Sequence, residues 1–388
     1  MFLKLVVILN SCYLAFAPIG RIYEVFRSTS LSNCIALLLL LLNSFYILDY
    51  FKVRKREFIL LLSLTLIGFL SFCVNIDTFD FVLFFTNLYA LFLFSAGLLL
   101  TAKIDIRIFK ICLVLFGLIA SVICFIQMFQ MLTQGTFDNF YFSGLNLYRE
   151  NSDELLRIRP YSIFSEPAHL AIYLLPIFYY SLINKYYLIS IIFALGILCS
   201  GSTTGLLLLV VVCVVSFKLS IKNIIICFVL GVVVVNVIYM ISPDILLKNF
   251  DKLEGTDSNN IRLLGALSYV GYFSIGNWFL GVGYNQVDNF VLYNGIARYT
   301  NGVFVTGNYA PTIIYTFICY GIIGLLVFLN YLKSIYSKCR KTVGFFVIML
   351  GILCSDQILY NANLLYLWAI VLIGDYMIDE YKPSKFFC

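Results

Sequence analysis

The chain has 388 residues, 62% hydrophobic and only 12% charged, with a mean hydropathy of +0.97. A water-soluble domain has no use for that much apolar surface, so this composition excludes one. The formal charge of +6 needs no nucleic-acid partner, because basic cytoplasmic loops of a membrane protein account for it.

Runs of about 20 apolar residues, long enough to cross a hydrocarbon core, recur along the chain. They predict an all-α integral membrane protein with twelve transmembrane helices, a single domain over residues 1–388. The spans fall at roughly 2–19, 31–51, 58–75, 81–101, 111–133, 167–184, 186–200, 203–217, 224–242, 308–332, 343–358 and 363–378. No small-residue cleavage site and soluble body follow the first run, so it is expected to remain as a helix. The stretch SGSTTG (200–205) suits a tight turn between two short spans.

Twelve spans leave both termini on one side, and the basic residues select it. The loops carrying Lys52, Arg54–Arg56, Lys103, Arg107, Lys110, Lys185, Lys218, Lys222, Lys333, Lys338, Arg340 and Lys341, with Lys4, Lys382 and Lys385, hold 17 of the 26 Lys and Arg, leaving 9 opposite. The termini are therefore expected to be cytoplasmic. All twelve cysteines lie in spans or on that side, without CxxC spacing, and are expected to be inert core thiols.

Two connections on the opposite, periplasmic side are long: residues 134–166 and 243–307. Long loops without a domain of their own tend to be functional. The first ends in RPYSIFSEPAHLA (159–171), which holds the single histidine of the protein, His169. Pro167 suits the first position of a helix, so Glu166 is predicted at the N-cap. It is either a plain cap or a carboxylate at the rim of a cavity, able to act as a base or to hold a hydroxyl. His169, one turn on, shares its face; it is a structural hydrogen-bonding residue or a general base whose tautomer Glu166 sets. One histidine and one carboxylate fall short of a metal site. Arg157 and Arg159 alternate in an extended stretch, where two guanidinium forks can hold a pyrophosphate or anchor lipid headgroups. In the second loop, Asp257–Asn260 are cap residues for a helix beginning near Arg262, a cation placed against the dipole. Gly281 and Gly283 of LGVGYNQ permit close backbone approach.

Three stretches carry a resemblance. They are RPYSIFSEPAHLA before a span, IRLLGALSYVGYF followed by NWFLGVGYNQ in the late outer loop, and NYAPTIIYTFICYGIIGLLVF opening the next span. Over residues 150–330 the chain resembles the O-antigen polymerases (Wzy) of bacterial surface-polysaccharide assembly, a group that also includes the O-antigen ligases. The first half is similar only in hydropathy and loop layout.

The resemblance implies a glycosyltransferase of the bacterial inner membrane. It would transfer a growing glycan from undecaprenyl pyrophosphate to a new lipid-linked repeat unit on the periplasmic face. By position Arg262 matches the family's late-loop arginine, and Glu166 and Arg159 match its charged motif. This gives Glu166, His169 and Arg262 as catalytic candidates, and Arg157, Arg159, Tyr161, Tyr284 and Asn285 as substrate contacts. Implied partners are undecaprenyl-pyrophosphate-linked oligosaccharides, membrane lipid, a chain-length regulator (polysaccharide co-polymerase) and the pathway's flippase, with no cofactor, metal or nucleic acid. Ligases of the group have a His-Asn pair where this sequence has Gly307-Asn308, which counts against a ligase. A lipid-linked oligosaccharide flippase is the other alternative. It would need charges along a path through its spans, whereas here the charges gather on one face.

Overall fold

The computed structural model describes residues 2–26, 29–140, 146–147, 159–216, 267, 269–295, 298–300, 303–305, 310–337, 339 and 341–378. In chain order the helices are α1 (Phe2–Gly20), α2 (Leu31–Leu42), α3 (Ile47–Val53), α4 (Lys55–Leu70), α5 (Phe81–Leu100), α6 (Ile106–Gln134), α7 (Pro167–Ile183), α8 (Tyr187–Ser200), α9 (Thr203–Ser216), α10 (Ile275–Leu280), α11 (Val287–Tyr293), α12 (Thr312–Tyr336), α13 (Val343–Ser355) and α14 (Ala362–Ile373). Helices occupy every expected span except 224–242, which lies outside the described residues.

Among the described residues five helices are long and apolar enough to cross a membrane: Leu3–Gly20, Lys55–Cys73, Phe81–Leu100, Ile106–Gln134 and Thr312–Tyr336. A sixth is counted if α2 and residues 44–53, bent by 70°, form one span. The count of five or six is not a count of the expected twelve, because span 224–242 lies outside the described residues and several of the other helices are short. A helix must run for about 20 residues to cover ~30 Å of hydrocarbon, and α7, α8, α9, α13 and α14 are shorter. Caps explain some of the boundaries. Asp105 Oδ1 accepts Arg107 N and Ile108 N, which starts α6 earlier than expected. Asp356 is extended (φ −137°, ψ 155°), which ends α13 before residue 358. The bend after α2 sits at buried Asn43, whose side chain bonds Asn10 and whose Oδ1 accepts Tyr50 OH at 2.6 Å.

Two of the short helices, α7 and α14, are central. In α7, 13 of 17 residues are buried, and in α14, 10 of 12. A helix that is apolar all round belongs inside a bundle. Tyr173 stacks on Tyr366 with ring centroids 5.0 Å apart, and Tyr173 OH donates to Ala15 O, which ties α7 to α14 and α1. The outer faces stay apolar: Leu41, Phe85, Phe129 and Leu188 are 64–80% exposed. Such a surface suits contact with hydrocarbon rather than water, and it accords with a helical membrane protein.

The fold is mostly helical, as expected, and five short strands accompany the helices among the described residues. Strands β1 (Tyr23–Phe26), β2 (Thr29–Ser30) and β3 (Asn146–Leu147) form a sheet in the order β2-β1-β3, with Glu24 opposite both Ser30 and Asn146. This sheet joins the first long loop to the end of α1. Strands β4 (Arg298–Thr300) and β5 (Val303–Val305) pair antiparallel. Asn301-Gly302 lies between them in sequence, the strongest short hairpin signal, and it is easily passed over in a chain read for apolar runs.

The connections gather at two ends of the bundle. At one end Arg54 Nη2 donates to Thr101 O and Asn10 to Lys103 O. At the other, Arg159 bonds Gly201 O, Asn75 bonds Gly281 O, and Thr312 N bonds Asp356 O. Arg54, between α3 and α4, is only 8% exposed, and Glu57 is 1% exposed. Glu57 Oε1 accepts Tyr331 OH at 3.0 Å, and Tyr331 OH accepts Trp368 Nε1 at 2.7 Å.

Candidate functional site at the start of α7 and the late loop

The segment before α7 is folded against α6 by one buried amide. Gln127 Oε1 accepts Tyr161 N at 3.1 Å and Ser162 N at 2.6 Å, while Nε2 donates to Ser162 O at 3.0 Å. Ser162 takes a left-handed φ of 59° and donates to Ala120 O. Residues 160–164 are therefore buried, and Phe164 packs on Tyr173. A glutamine within a 29-residue apolar helix was the available signal, since polar groups at membrane depth are costly unless they serve a purpose.

The chain then emerges at Ser165 and Glu166, both half-buried. Glu166 is the N-cap, with extended φ −149° and ψ 150°, and Pro167 opens α7 as expected. Its side chain, however, makes no cap hydrogen bond. The carboxylate sits where the first-turn N–H groups and the dipole favour an anion, without being spent on them. His169 is half-buried, and its Nδ1 lies 3.0 Å from Ser165 Oγ. Ser165 Oγ is thus one hydrogen-bond partner on the Nδ1 side of the ring, and as a hydroxyl it can serve either tautomer.

Arg159 Nη1 donates to Gly201 O at 3.1 Å, which fixes the guanidinium over the turn between α8 and α9. Tyr161 is 5% exposed, its ring edge-on to Phe137 and its hydroxyl bonded to Asn139 Oδ1. Arg157 and Arg262 lie outside the described residues.

The late loop is organised by a break in α12. Gly321 inside that helix has φ 63° and ψ −167°. Such a break strips carbonyls of their helical partners, and within a membrane they must find others. Ile318 O accepts Val282 N and Cys319 O accepts Gly283 N, both at 2.9 Å. The close approach that LGVGYNQ permits is thus to α12, with Gly281 and Gly283 at φ 71° and 97° and Asn285 at 62°. Asn87 Nδ2 donates to Tyr284 O at 2.7 Å.

This docking presents half-buried Tyr284 to a cluster of rings. Its centroid lies 5.0 Å from that of Tyr360, 6.0 Å from Tyr315 and 6.3 Å from Tyr320, to which it is parallel; the Tyr320 and Tyr360 hydroxyls are 3.1 Å apart. Burial pushes the Tyr284 phenol above its ordinary value, and the charge of nearby Arg21 acts the other way. Arg21, at the end of α1, was not among the expected site residues. Nor were Tyr320, which reads in sequence as a span residue, and Tyr360, which falls in the short connection between the last two expected spans.

The two halves of the site sit at the same end of the bundle, Glu166 at the N-cap of α7 and Tyr284 in the loop between α10 and α11. No protein-family model matches the chain, and no curated protein is matched by it.

Proposed function

We propose that the protein is a surface-polysaccharide polymerase of the O-antigen (Wzy) type. In this reading it is a bacterial inner-membrane protein with about twelve crossings, cytoplasmic termini, and the start of α7 facing the periplasm. The observation that carries it is Glu166: a carboxylate held at a helix N-terminus, beside the only imidazole, and engaged in no cap bond. A residue kept only as a cap would use its side chain as one.

In the proposed reaction, a sugar hydroxyl of a lipid-linked repeat unit attacks the anomeric carbon of the growing glycan. The bond from that carbon to the pyrophosphate oxygen breaks, and undecaprenyl pyrophosphate leaves with the electron pair. Glu166 or His169 takes the hydroxyl proton. Arg159, with Arg157 and Arg262, stabilises charge on the leaving pyrophosphate. Tyr284 and Asn285 bind substrate, and no cofactor is required. A co-polymerase that sets chain length and the pathway's flippase are the expected partners.

Deletion of the gene tests this, read by gel electrophoresis of the surface polysaccharide. A polymerase leaves one repeat unit attached and loses the long ladder, whereas loss of all units points to a ligase or flippase. Fusion reporters at position 150 and within 255–300 should report periplasm, and those near 55, 105 and 336 cytoplasm. A cytoplasmic signal at position 150 would overturn the reading.

A further inference from the structure

A groove of about 650 Å³ opens at the end of the bundle where the turn before α5 meets α11. Asp77, Asp80, Phe81, Asn289, Leu292 and Tyr293 line it, none of them a residue that the sequence singled out. That volume lies within the range of small-ligand sites, about 300–1,000 Å³.

Its walls are tied together. Gln286 Oε1 accepts Asp80 N at 2.9 Å while its Nε2 donates to Asp80 O at 2.8 Å, so one side chain clamps the turn to the end of LGVGYNQ. Asp80 Oδ1 caps α5 through Val82 N and Leu83 N. The groove is thus preformed and continuous with the loop that presents Tyr284.

The lining selects a ligand class. Among the described residues both charged lining side chains are carboxylates and none is a lysine or arginine, so a phosphate or pyrophosphate would meet like charge there. A hydroxyl can donate to a carboxylate, and the Asn289 amide both donates and accepts. Tyr293 and Phe81 are 64% and 42% exposed, offering ring faces to the apolar side of a sugar. Two carboxylates are too few for a calcium shell of six to eight oxygens, and no group of three or more metal-ligating side chains occurs among the described residues.

We propose that this groove binds a neutral saccharide segment, the acceptor repeat unit, away from the arginines that hold pyrophosphate. The identity of that sugar rests on the polymerase reading.

Two experiments on the full-length protein test the groove. In the first, Tyr293 is replaced by the photo-cross-linker p-benzoylphenylalanine in cells making the polysaccharide. Irradiation should give an adduct carrying hexose mass, absent from a strain that cannot build the repeat unit. A phospholipid adduct alone, or none, overturns the inference. In the second, protein in lipid nanodiscs is titrated with the repeat-unit oligosaccharide released from the cells' lipid-linked pool by mild acid. Asn289→Ala and Tyr293→Ala should each weaken binding about tenfold, the size of one lost hydrogen bond or contact, and shorten the ladder at normal protein level. If gene deletion collapses the ladder while both variants keep wild-type affinity and length, the groove assignment fails and the polymerase reading stands. If deletion leaves the ladder intact, the polymerase reading fails, while the titration still decides whether the groove takes a saccharide.

Discussion

Gly281 and Gly321 interlock across the break in α12. A Cβ on Gly281 would lie 2.4 Å from the Cys319 carbonyl, and one on Gly321 would lie 2.3 Å from that of Phe279. Both have left-handed φ, 71° and 63°. Backbone cannot move aside as a flexible side chain can, so alanine at either position carries φ strain and a clash together, about 2–6 kcal/mol. Gly135 has φ 73° but nothing within 4 Å of its would-be Cβ. Gly135→Ala should therefore cost only about 1 kcal/mol. Thermal unfolding of the detergent-solubilised protein should rank Gly281→Ala and Gly321→Ala far below Gly135→Ala. Equal midpoints would mean that the loop does not dock on the helix break.

This interlock marks what was and was not legible in the sequence. Gly281 and Gly283 could be read as points of close approach, but their partner could not. Gly321 lies in an apolar run, and hydropathy does not register a break whose carbonyls are satisfied by a loop about forty residues earlier. The start of α7 was readable because Pro167 and Glu166 are local signals. Gln127 stood out as a polar residue in an apolar helix, but its partner did not, because that is a turn 34 residues away. The burial of Arg54 was not legible for a related reason: charge alone gives no indication of whether a side chain turns inward. The tyrosine cluster assembles from three separate segments, each of which reads as ordinary apolar helix or loop.

Glu166→Gln keeps the shape of the side chain and removes its charge. With no cap bond to lose, stability should fall by less than the ~1 kcal/mol typical of a lost cap. A positioned base contributes about 10²–10⁴-fold in rate, so the polysaccharide should collapse to single repeat units at normal protein level. His169→Ala should match it if the imidazole is the base, and give a partial defect if the imidazole supports Glu166. Ser165→Ala, which removes the hydroxyl 3.0 Å from His169 Nδ1, should give an intermediate ladder. Wild-type ladders from both Glu166→Gln and His169→Ala would place the chemistry elsewhere.

Tyr331→Phe tests the opposite end of the bundle. The change removes the donor to Glu57 Oε1 and the acceptor of Trp368 Nε1. Leaving buried polar groups unpaired costs about 1–3 kcal/mol, so the unfolding midpoint should drop. Ladder length per molecule of folded protein should not change, because this network ties helices together and lies far from the proposed site. A flippase reading predicts otherwise, since buried charge such as Glu57 would then lie on a transport path. Tyr331→Phe would in that case abolish surface polysaccharide altogether at normal protein level.

Cys12 of α1 and Cys112 of α6 place their sulfurs 3.5 Å apart. Both are half-buried and reduced in this structure. Disulfide formation needs the Cβ atoms about 3.5–4.5 Å apart and the sulfurs drawn in to about 2.05 Å, which two adjacent helices can reach by a small shift. In a variant retaining only these two cysteines, a mild oxidant should form an intramolecular bond. Two maleimide-reactive thiols would be lost together and recovered on reduction. Pairing Cys12 instead with Cys354, which is exposed on α13, should give no such bond. The oxidised protein should also unfold at higher temperature, because the cross-link joins residues 100 apart and a closed loop of that length constrains the unfolded chain by about 4–5 kcal/mol. Failure of Cys12 and Cys112 to react under conditions that oxidise an engineered surface pair would show that α1 does not pack on α6 in this register.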